Sequence, residues 1–322
     1  MTGDPGALRE LVRAELSAPA SEAARELAAE LQRRHDPATL AVLFYGSCLR
    51  KETAEGVLDF YVIVDSYRRA YASRWLAWIN AALPPNVFFV EREAATGPLR
   101  CKYAVVSARD FRQAAAGRTL RTSIWARFCQ PARAVYTRDP EALESVVDAA
   151  AQSVRTAVGT LLPLLPARDG QLDFDGERFW QRALRETYAA EMRPERLETV
   201  RAVYASAPER FDRAAELALE QLARDGALAM TRHDDRCRVS WSPEQHRRAR
   251  LTWRLRRPAA KLVYALQLLK SATTFGDWVP YVLWKLERHT GTRLVASPRQ
   301  RRHPFIYGWP LLFRALWRRE FR

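Results

Sequence analysis

No stretch of the 322-residue chain approaches the ~20 consecutive apolar residues that a bilayer-spanning helix needs. A helical membrane anchor is therefore not expected. Cysteine is scarce: Cys48, Cys101, Cys129 and Cys237 are the only four, with no Cys-x-x-Cys pair and no metal-ligand spacing. That argues against a disulfide scaffold or a structural zinc and fits thiols kept in a reducing compartment. Residues 1–20 mix acids with arginines and lack a signal-peptide core, so a cytoplasmic location is expected. Internal repeats and low-complexity tracts are missing too. Acid is what the last quarter lacks. Residues 247–322 hold 18 Lys/Arg against three acids, Asp277, Glu287 and Glu320, so the whole net charge of +15 resides there. Such segregation points to an anionic partner, either acidic lipid or nucleic acid.

What is present reads as a folded protein, with 48% hydrophobic and 11% aromatic residues. Leu8, Leu11, Val12 and Leu16 share a helical face, and a second helix follows Ser21 as its N-cap. Bounded apolar runs at 40–45, 58–64, 86–91 and 102–107 predict four strands, with a helix at 71–83 closed by Pro84 and Pro85. Strands and helices interleaved in this way predict an α/β or α+β domain on one sheet. Beyond residue 141 the periodicity becomes helical, at 142–165, 178–191, 195–205, 208–223 and 253–269. Residues 170–176 read as a polar loop and 232–245 as a linker.

The chemistry concentrates in Leu43-Phe-Tyr-Gly-Ser-Cys-Leu-Arg50 and Val57-Leu-Asp-Phe-Tyr-Val-Ile-Val-Asp65. A strand ending in Gly46-Ser47 presents backbone N–H groups to an anion, and glycine lets the backbone approach a phosphate. Asp59, near the start of the next strand, can hold a Mg²⁺ ion that bridges triphosphate oxygens. The same residues also fit an ordinary strand–turn–strand with a surface acid.

This arrangement resembles the DNA polymerase beta-type nucleotidyltransferase superfamily, whose pattern places a second acid two residues after the first. Here that position is Tyr61. A narrower resemblance, over residues 40–200, is to the mitochondrial-type phosphatidate cytidylyltransferases. It is carried by Tyr45-Gly46-Ser47, Asp59-Phe60-Tyr61-Val62 and Lys102-Tyr103-Ala104-Val105-Val106-Ser107, followed by segments 124–136 and 154–166. That family usually has glycine where this chain has Cys48. The resemblance implies an α+β fold, a nucleotidyltransferase mixed sheet with flanking helices, followed by a mainly helical C-terminal region. Divided accordingly, residues 1–140 form the nucleotidyltransferase domain, 141–245 a helical substrate-side domain and 246–322 a basic amphipathic membrane-docking region. It further implies that Tyr45, Gly46 and Ser47 bind CTP and that Asp59 holds Mg²⁺. Asp65 and Glu91 are candidate further metal ligands, and Lys102 a phosphate partner. The acceptor implied is phosphatidic acid, giving CDP-diacylglycerol and pyrophosphate. Transfer to RNA, a protein or another polar lipid stays open, as does a catalytically inactive membrane-binding homologue.

The basic tail suits a lipid substrate. Leu312, Phe313, Leu316 and Trp317 form a stripe flanked by Arg314, Arg318 and Arg319, the composition of a helix lying on anionic lipid. The expected location is the cytoplasm, peripheral on the inner face of the membrane. A core helix and a nucleic-acid patch are the alternatives, although no nucleic-acid-binding motif is recognisable.

Overall fold

The computed structural model describes residues 4, 6–94, 97–167, 170–191, 197–233 and 236–274. The chain opens with α1 (Ala7–Ser17) and α2 (Glu22–His35), then runs β1 (Thr39–Tyr45), α3 (Ser47–Arg50) and β2 (Val57–Val64). Next come α4 (Tyr67–Ala70), α5 (Arg74–Ala82), β3 (Asn86–Ala94), β4 (Gly97–Ser107), α6 (Ala108–Ala115), α7 (Ser123–Phe128) and β5 (Ala132–Thr137). The remainder is α8 (Pro140–Leu161), β6 (Gln171–Asp173), α9 (Gly176–Ala190), α10 (Leu197–Ala205), α11 (Pro208–Arg224), β7 (Ala229–His233), β8 (Arg236–Ser240) and α12 (Pro243–Thr274).

The fold is α+β. Its main sheet has the order β3-β4-β2-β1-β5, with β2 and β4 parallel and the other neighbours antiparallel. All four strands read from the sequence are in it. The fifth, β5, carries no clear strand signal in the sequence, its apolar alternation broken by Arg133, and it pairs with β1 through a register shift. Side chains alternate across the sheet. Val42, Phe44, Phe60, Val62, Tyr103 and Val105 pack on one face with α2. Leu43, Tyr61, Ile63, Ala104 and Val106 pack on the other with α1, α6, α7 and α8. Ser21 does cap α2, its hydroxyl accepting from the Ala24 N–H at 3.3 Å.

Two expectations for the second half are corrected. The supposed polar loop and linker pair with each other: β6, β8 and β7 form a three-stranded antiparallel sheet. Val239, Cys237 and Trp241 are its buried side, a period of two hidden from sequence reading by the intervening arginines. The last helix is also longer than predicted, beginning at Pro243 rather than near Trp253.

The inner face of α12 ties distant parts together. Trp253 Nε1 donates to Glu186 on α9 at 3.0 Å, and Arg256 Nη2 donates to the Gly117 carbonyl at 3.1 Å. Gln267 donates to Pro84 O at 2.5 Å. The helix thus spans from α9 to the turn before β3.

Candidate active site

The centre of the site is one cross-strand row. Register places Tyr45 of β1 opposite Asp59 of β2, Asp59 opposite Lys102 of β4, and Lys102 opposite Phe89 of β3. Directly opposed residues project on the same face, so Asp59 and Lys102 meet: Nζ lies 3.1 Å from Asp59 Oδ1. Both side chains are partly exposed, at 37% and 24%. This pair is the partner that a lysine on an otherwise apolar strand requires.

Immediately after Tyr45 the backbone turns at Gly46, with φ +93° and ψ −159°. A Cβ there would lie 3.0 Å from Asp59 Oδ2. Two reasons therefore demand glycine, the left-handed φ and the carboxylate beside it. Ser47 opens the short turn of α3. The structure thus brings Tyr45, Gly46, Ser47, Asp59 and Lys102 together.

Asp65 and Glu91 are not brought there. Asp65 follows the far end of β2, six residues from Asp59, or about 20 Å along an extended strand. It is bound instead to Arg69, and Arg138 lies 3.8 Å away. Glu91 pairs with Arg100 at 3.1 Å. It lies two strands from β2 and one side-chain repeat beyond Lys102 in register, more than about 10 Å from Asp59. Among the described residues no group of three or more His, Cys, Asp or Glu side chains is placed to hold a metal. Arg314, Trp317, Arg318 and Arg319 lie outside the described residues.

Both departures from the family patterns have a structural account. Cys48 points into the core on the opposite face from Asp59, with its thiol 3.5 Å from the Val57 carbonyl. Tyr61 shares the face of Asp59 but is buried among aromatic rings, 5.5 Å from Tyr45 and 5.3 Å from Phe128. Burial pushes its hydroxyl pKa up, while Arg127 and Arg121 pull it down. His35 is remote from this chemistry: it packs on the other face, with Nδ1 2.9 Å from the Ala70 carbonyl.

Sequence reasoning missed a group of cations behind the row. Arg127 of α7 pairs with Glu191 at 3.0 Å, the two side chains only 17% and 5% exposed. Burial alone would lower the Arg127 pKa, but Glu191 outweighs it and raises it well above the usual value. Arg121, in the connection from α6 to α7, acts electrostatically on Tyr61, Tyr67 and Asp110. Nothing in the polar stretch 117–123 signals that an arginine there turns inward.

No family model matches the chain, and no curated protein matches it. Among solved structures, the nucleotidyltransferase-like protein from Exiguobacterium sibiricum 255-15 aligns over 82% of this chain and 79% of that chain. The identity is 12% and the TM-score 0.25. A superposition that loose carries no argument, so the site's chemistry rests on its own geometry.

Proposed function

We propose that the chain is a nucleotidyltransferase that transfers CMP from CTP to phosphatidic acid at a membrane surface. The observation that carries this reading is the Asp59 carboxylate standing beside the Gly46 turn, its Oδ2 3.0 Å from where a Cβ at Gly46 would lie. A phosphate-accommodating turn and a metal-holding acid have to be neighbours for a metal–triphosphate complex to bind both.

The donor set fits Mg²⁺. That ion keeps several waters and takes one or two carboxylates plus substrate phosphates, and Asp59 would supply one carboxylate beside the turn. Mg²⁺ would neutralise charge on the pyrophosphate leaving group. The chain's own residues do the rest. Gly46 lets the β- and γ-phosphates approach the backbone, Ser47 offers a hydroxyl donor, and Lys102 moves from Asp59 to an incoming phosphate. The acceptor's phosphate oxygen attacks the α-phosphorus in line; the new O–P bond forms as the α–β bridge breaks and pyrophosphate departs with the electron pair. The acceptor is already ionised at neutral pH, so alignment and charge neutralisation suffice. This agrees with the placement of His35 away from the site.

Lipid as acceptor is supported by the outer face of α12. Leu251, Leu255, Leu262, Leu266 and Leu269 are 46–71% exposed and fall within about 60° of one another at 3.6 residues per turn. Between Arg247 and Thr274 the sequence has eight bases and no acid. An exposed apolar stripe on a basic helix suits anionic headgroups over an acyl layer. No described helix is long and apolar enough to cross a membrane.

A second reading, a catalytically silent membrane-binding protein, is favoured by the buried Tyr61 in place of a second acid. Pyrophosphate release from CTP and Mg²⁺, measured across phosphatidic acid, other phospholipids and RNA, separates the readings. Release confined to phosphatidic acid supports the proposal; release with RNA alone, or with no acceptor, overturns it.

A further inference from the structure

Trp75 and Trp78 of α5 form an exposed, stacked pair. They are 60% and 61% exposed, with ring centroids 5.2 Å apart and planes 24° from parallel. Three residues apart on a helix, they share one face, about 160° from the side that α5 buries at Ala77 and Asn80. Single exposed apolar residues need no explanation, but two adjoining indole rings make a patch. The setting of the pair is basic. From Ser66 to Val90 the sequence holds Arg68, Arg69 and Arg74 and no acid, and all three arginines are exposed; Arg69 is bound to Asp65. Tryptophan among arginines is the composition of a segment at the headgroup level of anionic lipid, where the ring meets the acyl boundary and its N–H stays wet.

Hydrogen bonds join α5 to the helix that carries the exposed leucines. Gln267 of α12 donates to the Pro84 carbonyl at 2.5 Å, and Lys270 donates to the carbonyls of Leu83 and, at 2.7 Å, Pro85. Leu83 is the residue that ends α5, so Trp78 stands about 7.5 Å along the helix from this junction. Leu266 and Leu269, both exposed, adjoin the two donors in sequence. The helices reach the junction from opposite faces of the main sheet. Ala77 of α5 packs with Val62 and Val105, whereas Trp253 and Ala260 of α12 pack on the side of Tyr61 and Ala104. They meet at the turn before β3, which is the edge strand. A surface laid against this edge can touch both helices at once. The row of Asp59 and Lys102 ends at the same edge, in Phe89. Asp59 lies two strands in and three residues along from Asn86, about 14 Å from the junction.

We infer that Trp75 and Trp78 are a second docking element, inserting at the headgroup level of an anionic lipid surface beside the leucines of α12 and turning the β3 edge toward the bilayer. This rests on the lipid reading of α12, not on CMP transfer. Charge favours lipid over a second copy of this chain, because two such patches would set Arg68, Arg74 and the bases of α12 against one another. A nucleic acid would satisfy the arginines but leave the leucines of α12 uncovered.

Flotation of the full chain with phosphatidylcholine vesicles, with and without phosphatidylglycerol, tests this. Trp75→Ala/Trp78→Ala is expected to weaken partition into the anionic vesicles at least about tenfold, the loss of two inserted rings. Both rings are mostly exposed, so the double variant should melt with the wild type, and its loss of binding is not misfolding. Trp75→Arg/Trp78→Arg separates insertion from charge. It adds two bases, so a dock held by charge alone would bind more tightly; it should instead bind no better than the alanine variant. Binding that survives high salt should vanish in both variants, since salt screens the arginines but not the rings. Flotation fully retained by the alanine variant overturns the inference and leaves α12 as the dock. A wild type that does not float with anionic vesicles defeats the lipid reading of α12 and the inference with it. Self-association or single-stranded RNA binding that the alanine variant loses, with flotation kept, assigns the pair to a second copy or to nucleic acid and overturns it as well. CMP transfer by the wild type to a water-soluble short-chain phosphatidic acid reads the reaction separately: its absence defeats the transfer reading and leaves the flotation result standing.

Discussion

Gly46 connects backbone conformation directly to chemistry. Its φ of +93° is one that L side chains rarely adopt, and the space a Cβ would fill is bounded by Asp59 Oδ2 at 3.0 Å. Gly46→Ala is expected to cost about 1–3 kcal/mol from backbone strain, read as a lowered Tm. It should also weaken Mg²⁺–CTP at least about tenfold, because the displaced turn and carboxylate no longer act together. An alanine variant that binds CTP normally removes the turn from the site. How legible each residue was depended on the distance of its partner. Gly46 and Asp59 were found because an apolar run ending in Gly-Ser and a strand-borne acid are local patterns. The Asp59–Lys102 contact was only inferable as a need for some partner, since it joins strands 43 residues apart. Arg127 and Glu191 left no trace, because their pairing joins α7 to the end of α9 across 64 residues. Asp65 and Glu91 failed as metal candidates for the same reason: strand register, not nearness in sequence, sets which acids meet.

Among the elements, β1 to β4 were readable because each contains a bounded apolar run; β1 and β2 are buried on both faces of the sheet, while β3 is a half-exposed edge strand. The small sheet of β6, β7 and β8 was not, since arginines occupy its outward positions. α12 shows how one helix divides its duties. Trp253, Ala260 and Lys270 face inward, and the five leucines of its outer stripe face out. Replacing Leu255, Leu262 and Leu266 together by Glu should abolish flotation with anionic vesicles, while the far-UV spectrum stays native. Wild-type binding should weaken with salt. Undiminished flotation of the triple variant would show that α12 is not the docking element, leaving that role to the residues beyond Thr274.

For the whole molecule, the burial of ionisable side chains appears as a pH dependence. Burial, aided by Arg121, lowers the Lys270 pKa to about 7, against about 10.4 in an unfolded chain. Between these values the unfolded chain holds a proton that the fold lacks, so stability rises with pH. Below pH 7 both states are protonated and the full penalty remains. Burial pushes the thiols of Cys101 and Cys129 up to about 12. Their sign is opposite, and stability falls once unfolded thiols ionise above about pH 8.5. In a buffer without phosphate or sulfate, Tm should therefore rise from pH 7 to 8.5 and then decline. Lys270→Met should remove the rise and keep the decline. Burial also lowers the pKa of His35; it adds a loss of stability below about pH 6.5 that the Lys270 variant retains.

Whether the Gly46 turn and Asp59 together hold a metal-bound triphosphate for transfer is decided by one comparison. Purified wild-type and Asp59→Asn proteins are incubated with labelled CTP, Mg²⁺ and phosphatidic acid, and labelled CDP-diacylglycerol is quantified. Product is expected from the wild type, with a fall of at least about 10²-fold in the variant, the scale expected when a metal-holding carboxylate is lost. Equal product from both proteins would rule out Asp59 as the metal-holding acid.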